Sequence, residues 1–354
     1  MKIKLNKEEL KKCYNLLDVK EINISIAELL FSIYQVNEPF LNASNEEDYY
    51  RKLLNYWDIP QDDKENLALL DKWVKGTIKC LNPHYFDENP YFKAVKPHLF
   101  KNKKYELKYD CYEAYQPFAL DDIQVDEAKD FMEKTPVGYF PQKIDFLSLR
   151  YNNDIWMSLT PNEINTMNKS IKEAKGNVLV FGLGLGYYPF MVSLKNSTQK
   201  ITIIEKDEVI IDIFKKELLP LFPYPQKIEI IKSDAKDFIS KMDNRWGTLF
   251  IDLWHNALDG ISLYLFFKKH EKKYPQTRFQ YWLEESMIAL YRRCMLTVFE
   301  ESLNNYDDSD YQNNKEDIDK IINDIYFKTK NITISSYDDI HKLLTRDSIK
   351  ELIK

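Results

Sequence analysis

Val178-Leu-Val-Phe-Gly-Leu-Gly-Leu-Gly186-Tyr-Tyr-Pro189 decides the fold, because an apolar run of β type leads straight into three of the chain's eight glycines within five residues. Gly182, Gly184 and Gly186 carry no Cβ and reach positive φ without strain, so a loop built from them lets backbone come close to a ligand. Pro189 then suits the first position of a helix, where its missing N–H costs nothing. Strand, glycine loop and helix in immediate succession predict the opening unit of a nucleoside-binding α/β sheet.

The rest of the composition narrows the class. A chain of 354 residues is long enough for two domains or one large decorated one with a sizeable core. Cys13, Cys80, Cys111 and Cys294 are far apart and lack zinc-ligand spacing, so no metal site is expected and they read as buried thiols in a reducing compartment. The opening Met1-Lys-Ile-Lys-Leu-Asn-Lys-Glu has no signal-type apolar core, which predicts a cytoplasmic protein. Gly176 to Leu194 is free of charge, but its glycines and Pro189 suit strand, turn and helix better than a membrane span. A net charge of −6 gives no field to hold a polyanion, so nucleic acid is not an expected partner. The run Lys268-Lys-His-Glu-Lys-Lys273 reads as a solvated helix face.

Outward from the glycine loop, periodicity changes twice. Residues 1 to about 100 show helical spacing, as in Ile24–Tyr34 and Leu67–Val74, interrupted by Pro83, Pro90 and Pro97. A loop-rich or short-strand stretch follows that includes Tyr105–Tyr112. Residues 1–135 are expected to form a helical and mixed N-terminal region that caps the cleft or pairs with a second copy in a homodimer. Thr160, Pro161 and Glu163 then have the spacing of a capping box, predicting a helix that runs to a C-cap at Gly176. Val178–Phe181, Ile201–Ile204, Ile228–Ile231 and Leu249–Ile251 are short, continuous apolar runs, as strands buried on both faces should be. Helical segments lie between them, so the expected fold is a parallel, Rossmann-like α/β sheet over residues 136–303, followed by a helical extension over 304–354.

In such a sheet the carboxyl ends of the strands face one edge, where ligands bind at the topological switch point. That puts Gly182–Gly186, Glu205, Asp234 and Asp252 in one cleft. Glu205, about twenty residues beyond the loop, reads either as an acceptor for both ribose hydroxyls or as a solvated strand-end acid beside the helix-capping Asp207. Asp234 reads as an acceptor for an adenine amine or as an N-cap. Leu183, Tyr187, Lys206 and Ala235 flank these positions and complete the expected cofactor-binding set. Glycine spacing decides the nucleoside. A dinucleotide loop needs a small residue where Tyr187 or Pro189 stands, and the phosphate-loop pattern is absent.

The ordered set, G-x-G-x-G after the first strand, an acid ending the second, Asp after the third and Asp ending the fourth, resembles the class I S-adenosylmethionine-dependent methyltransferases over about residues 176–285. Phe181–Tyr187 and Phe250–Trp254 are most similar to the branch that includes spermidine synthases. The resemblance implies that Gly182, Gly184 and Gly186 pack on the amino-acid and ribose part of S-adenosylmethionine, that Glu205 holds the ribose and Asp234 the adenine, and that Asp252 faces the reacting centre. The chain departs from that pattern in three places. Val180 stands where the family usually has an acid, Asp252-Leu-Trp-His255 replaces the amino-methylating Asp/Asn-Pro-Pro-aromatic motif, and the later strands are reduced to Thr277–Leu283 and Ile332–Ser335, a rebuilt C-terminal sheet.

Asp252 and His255 are the candidate catalytic groups, Asp252 as a base or as an anchor for a cationic amine, His255 as a base with a pKa near neutrality. Trp254 and Trp282 wall a pocket or fill core. The expected function is methyl transfer to a small molecule or protein. Aminopropyl transfer is the alternative suggested by Asp252, Asp259, Glu284 and Glu285, and a non-catalytic nucleoside-binding module is a third reading.

Overall fold

The computed structural model describes residues 1–36, 42–60, 62–307, 311 and 317–354. Its centre is a five-stranded sheet made of β1 (Gly176–Phe181), β2 (Thr198–Glu205), β3 (Ile228–Lys232), β4 (Thr248–Ile251) and β5 (Arg278–Tyr281). Every pairing is parallel, in the order β3-β2-β1-β4-β5. Val178 to Phe181 of β1 and all of β4 are buried, which is why those strands read as unbroken apolar runs. Phe181 pairs with both Ile204 and Ile251, so the carboxyl ends of the three central strands finish level. Chain order reverses beside β1, and the crevice there is the expected place for a ligand.

Helix α1 (Pro161–Glu173) precedes β1, and α2 (Tyr187–Ser193), α3 (Glu208–Ile213), α4 (Ala235–Ser240), α5 (Ala257–Lys268) and α6 (Glu284–Leu303) follow the five strands in turn. The α/β unit expected from the sequence is therefore present. Several local expectations need correction. Thr160 and Pro161 do start α1, but Thr160 makes no side-chain cap bond, so no capping box forms and Glu163 is free for another use. That helix ends at a C-cap on Ala174, and Gly176, although at φ +72, already belongs to β1. Pro189 is the third helical residue, since Gly186 is the N-cap; the first-turn N–H groups have no intrahelical acceptor, so proline remains harmless there. Pro90, read as a breaker, starts the short helix Pro90–Ala94. The terminal strand narrows to Thr333–Ile334 and pairs with Lys2–Ile3 instead of extending the main sheet.

The helices Lys7–Tyr34, Glu46–Tyr56 and Lys64–Trp73 form a bundle around Leu30, Ile33, Tyr49, Leu53 and Trp73. Between the bundle and the α/β unit in sequence comes an antiparallel sheet of Phe100–Lys101, Tyr105–Tyr112, Ile144–Tyr151 and Asp154–Ser158. Asp154–Ser158 is an edge strand whose register shifts between Ile155 and Met157. Tyr105–Tyr112 is thus a full eight-residue strand, with strands on both sides of residue 135 in one sheet.

Within the lysine-rich run that ends α5, Lys269, Lys272 and Lys273 are exposed as expected, and Lys268 is the exception. Lys268 is 1% exposed. Its ammonium pairs with Glu271 at 2.6 Å and Glu284 at 3.0 Å, while Arg346 and Lys350 reach the other oxygen of Glu284 at 2.9 and 3.1 Å. These bonds fasten the C-terminal helix Arg346–Ile353 to α5 and α6. Among the described residues, no helix is long and apolar enough to cross a membrane, and no group of three or more His, Cys, Asp or Glu side chains is arranged to hold a metal ion.

Candidate functional site

The glycine loop leaves β1 at Phe181 and is tied to both neighbouring strands. Gly182 N–H donates to Ile204 O at 3.0 Å, and Asp252 N–H donates to Phe181 O at 3.0 Å. Gly182, Gly184 and Gly186 lie at φ +92, +54 and +77, in the region that favours glycine. Beyond that shared need, their surroundings separate them. A Cβ at Gly182 would overlap the carbonyl oxygen of Asp252, and one at Gly186 would overlap the ring of Phe214. At Gly184 a Cβ would meet nothing within 4 Å. Protein packing accounts for the first and third glycines; the middle one borders open space.

That space is a cleft of about 870 Å³ at the carboxyl edge of the sheet, a volume suited to a small-molecule ligand. Gly182, Leu183, Gly184, Gly186 and Tyr187 line it from β1. Glu205 and Lys206 enter from β2, Asp234 and Ala235 from β3, and Asp252 and His255 from β4. The structure thus brings all eleven sequence-predicted residues together.

Their local bonds qualify their roles. Glu205 Oε1 accepts from Lys206 N–H at 2.8 Å and Asp207 N–H at 2.9 Å, and Oε2 accepts from Leu183 N–H at 3.2 Å. The carboxylate is held in place by backbone, with open acceptor capacity concentrated on Oε2. Asp234 is the N-cap of α4, its Oδ1 accepting from Lys236 N–H at 2.7 Å. His255 is exposed at the mouth; its backbone N–H donates to Asp259, which closes the capping box of α5 with Asn256. Trp254 and Trp282 are both buried and both line the cleft, joined by a 3.1 Å bond from Trp254 Nε1 to Trp282 O. Packing and pocket wall are one role here. Val180 is buried under the loop. Of the acids that suggested an amine site, Asp259 lines the cleft, whereas Glu284 and Glu285 are engaged by Arg346 elsewhere.

Glu163 was not among the predicted site residues. It projects from the first turn of α1 into the same cleft as Asp252. Neither carboxyl has a hydrogen bond or ion pair among the described residues. Burial lifts Asp252 to about 7. Burial also holds Glu163 well above the ordinary carboxylate range, and the facing charge of Asp252 adds to the effect. Charge on one of these carboxyls therefore disfavours charge on the other. A signal for Glu163 was available: a helix joined to β1 by a short link runs back along the sheet, which sets its first turn at the carboxyl edge.

Two further sets lie outside the α/β unit. Ile155, Trp156, Met157 and Ser158, on the edge strand of the antiparallel sheet, roof the cleft, and the Trp156 ring meets the His255 ring edge-on at 6.2 Å. From the N-terminal side, Tyr91 OH donates to Leu185 O at 2.6 Å, and Asn89 Nδ2 donates to Tyr187 OH at 2.9 Å. These contacts fix the glycine loop from behind, and nothing local in the sequence announces them.

No family model and no curated protein matches the sequence. Among solved structures the chain is similar to the spermidine synthase of Thermotoga maritima, with TM-score 0.31 and 16% identity over 43% of this chain and 59% of that one. It is similar to a spermidine synthase in complex with the transition-state analogue AdoDATO, with TM-score 0.30 and 16% identity over 43% and 58%. A Staphylococcus aureus protein provisionally named a caffeoyl-CoA O-methyltransferase gives TM-score 0.26 and 17% identity over 48% and 72%. The match spans less than two thirds of either spermidine synthase chain.

Proposed function

We propose that the protein is an S-adenosylmethionine-dependent transferase and that the group it transfers is a methyl group. The observation that carries this reading is Gly184: positive φ, no protein atom near its missing Cβ, and a place in a cleft that also receives the strand-end acids Glu205, Asp234 and Asp252. A loop that needs glycine where only the cleft lies beside it is a cradle for a ligand. The residues present fit an adenosine-bearing sulfonium. Gly184 and Leu183 would lie under its ribose and amino-acid part, Glu205 would take a ribose hydroxyl on Oε2, and Asp234 with Ala235 would border the base. When bound, S-adenosylmethionine supplies an electrophilic methyl group on a cationic sulfur.

The chain's own contribution is then placement and exclusion of water. Trp254, Trp282 and the roof at Trp156 wall the space beside Asp252, and holding two reactants in line supplies much of the acceleration such a transfer needs. Asp252, half-buried on the cleft wall and with its affinity for protons raised, suits a group that takes a proton from a nucleophile near neutral pH. Aminopropyl transfer draws less support, because Glu284 and Glu285 are ion-paired away from the cleft.

Titration calorimetry with S-adenosylhomocysteine tests the reading. Binding is expected, and Gly184→Ala is expected to weaken it more than tenfold, at a stability cost of about 1 kcal/mol for placing a Cβ at positive φ. A folded protein that releases no heat with S-adenosylhomocysteine refutes the cofactor assignment. Binding with no methyl transfer to any of a broad panel of nucleophiles, unchanged in Asp252→Ala, would favour a nucleoside-binding module.

A further inference from the structure

A second hollow, of about 610 Å³, lies outside the α/β unit between residues 83–96 and the antiparallel sheet. Its size suits a small molecule. Phe86 and Phe92 form one wall, their ring centroids 4.5 Å apart. Another wall is the sheet, where Tyr109 pairs with Leu147 and Cys111 with Asp145, which makes Tyr109 and Asp145 diagonal neighbours on one face. Tyr109 is 38% exposed, an aromatic ring left open in a concave place instead of buried in the core.

Charge in the hollow is only partly matched. Asp87 is taken by His84 at 2.6 Å and Lys93 by Glu88 at 2.8 Å. Lys96 and Asp145 line the same hollow, have no hydrogen bond or ion pair among the described residues, and do not pair with each other. One ammonium and one carboxylate are left over beside aromatic walls. A ligand that complements all three features carries a carboxylate, an ammonium and an aromatic ring.

The hollow is also connected to the glycine loop. Its wall at Phe92 belongs to the helix Pro90–Ala94, whose N-cap Asn89 accepts from Tyr91 N–H through Oδ1 and donates through Nδ2 to Tyr187 OH at 2.9 Å. Tyr91 is fully buried and donates to Leu185 O at 2.6 Å. One short helix thus presents Phe92 and Lys93 to the hollow while Asn89 and Tyr91 hold the loop. A ligand that braces this helix on one side lowers the cost of ordering the loop on the other.

We propose that this hollow binds an aromatic α-amino acid, with its ring against Phe86, Phe92 and Tyr109, its carboxylate on Lys96 and its ammonium on Asp145, and that its occupancy tightens the glycine loop's hold on its own ligand. The first half stands apart from the transferase reading of the cleft; the second rests on the loop being a ligand cradle. Such coupling is reciprocal, so the ligand of the loop raises affinity for the amino acid by the same factor.

Calorimetry with L-phenylalanine tests the site, beside phenethylamine, which lacks the carboxylate, hydrocinnamate, which lacks the ammonium, and L-alanine, which lacks the ring. L-phenylalanine is expected to bind best of the four. Lys96→Gln should weaken L-phenylalanine and hydrocinnamate about fivefold, the upper end for an ion pair open to water, and leave phenethylamine unchanged. Asp145→Asn should weaken L-phenylalanine and phenethylamine by a like factor and spare hydrocinnamate. Both side chains are exposed, so neither change threatens folding. No saturable binding of L-phenylalanine, or binding that both variants leave unchanged, overturns the proposal.

The coupling has two readouts. Saturating L-phenylalanine is expected to tighten S-adenosylhomocysteine binding about fivefold, and Asn89→Ala or Tyr91→Phe should bring that factor back toward one. Amide hydrogen exchange over residues 183–187 should slow when L-phenylalanine is added, and this reads the link without the cofactor. A protein that fails to bind S-adenosylhomocysteine therefore loses the transferase reading and leaves this test standing. Unchanged exchange overturns the coupling, and so does a bound S-adenosylhomocysteine whose affinity does not rise.

Discussion

Two groups of charge follow neighbouring strands, Glu284 after β5 and Asp252 after β4, and they are built in opposite ways. At the start of α6, Glu284 is surrounded by Lys268, Lys350 and Arg346. Burial alone would lift its pKa, yet those cations, Lys268 foremost, bring it down to about 2. In the cleft, burial acts on Asp252 without any cation to oppose it, and the carboxyl rises to about 7. The same chemical group is thus displaced in opposite directions by what surrounds it. The difference teaches where the protein completes its own electrostatics and where it leaves them for a ligand to complete.

The contrast can be broken most forcefully at Gly182, whose missing Cβ lets the carbonyl of Asp252 lie against the loop. Gly182→Ala is expected to cost about 4 kcal/mol or to prevent folding, because it forces a backbone overlap at positive φ; urea denaturation measures this, and a cost under about 1 kcal/mol would show that the loop can move away. Lys268→Ala should cost about 3 kcal/mol, since removing one partner of a buried pair leaves the other stranded. The C-terminal helix should then lose protection in hydrogen exchange.

In the cleft the sign reverses. Asp252→Asn removes an unpaired charge and is expected to stabilise the protein by about 1 kcal/mol at pH 8, read from the urea midpoint. The pH dependence follows from the same carboxyl. Its folded pKa lies above the unfolded value, so between about 4 and about 7 the folded state holds a proton that the unfolded chain has released. Stability relative to Asp252→Asn should therefore fall as pH rises through that window. Glu284 behaves oppositely, its contribution being present above the unfolded carboxyl range and lost as pH falls toward about 2. A difference between wild type and Asp252→Asn that stays flat from pH 4 to 8 would contradict the unpaired state of the cleft. The smallest effect is expected for Tyr91→Phe, about 1 kcal/mol from the buried bond to Leu185 O.

The parallel sheet was legible in the sequence because strands buried on both faces leave no polar alternation: Val178–Phe181 and Leu249–Ile251 could scarcely be read otherwise. The eleven cleft residues followed from topology, since parallel order puts all carboxyl ends on one edge. Lys268 was misread because its burial depends on Glu284 and on a helix that begins at Arg346, well outside any local window. Glu163 was assigned to a capping box whose spacing fits, although Thr160 does not make the bond. The roof at Ile155–Ser158 was invisible for a different reason. It belongs to an antiparallel sheet whose docking over the cleft is a tertiary fact, and the short run Ile155-Trp-Met157 says nothing by itself of what it covers.

That roof strand divides the labour of the cleft between two frameworks. The floor is fixed by the parallel sheet, where a shift in register would disturb three strands at once. The roof is an outermost strand with one paired side and a register shift beside Trp156, where substitutions meet few mechanical constraints. Substitutions at Ile155, Trp156 and Met157 can therefore reshape the upper wall of the cleft while the floor beneath is left intact.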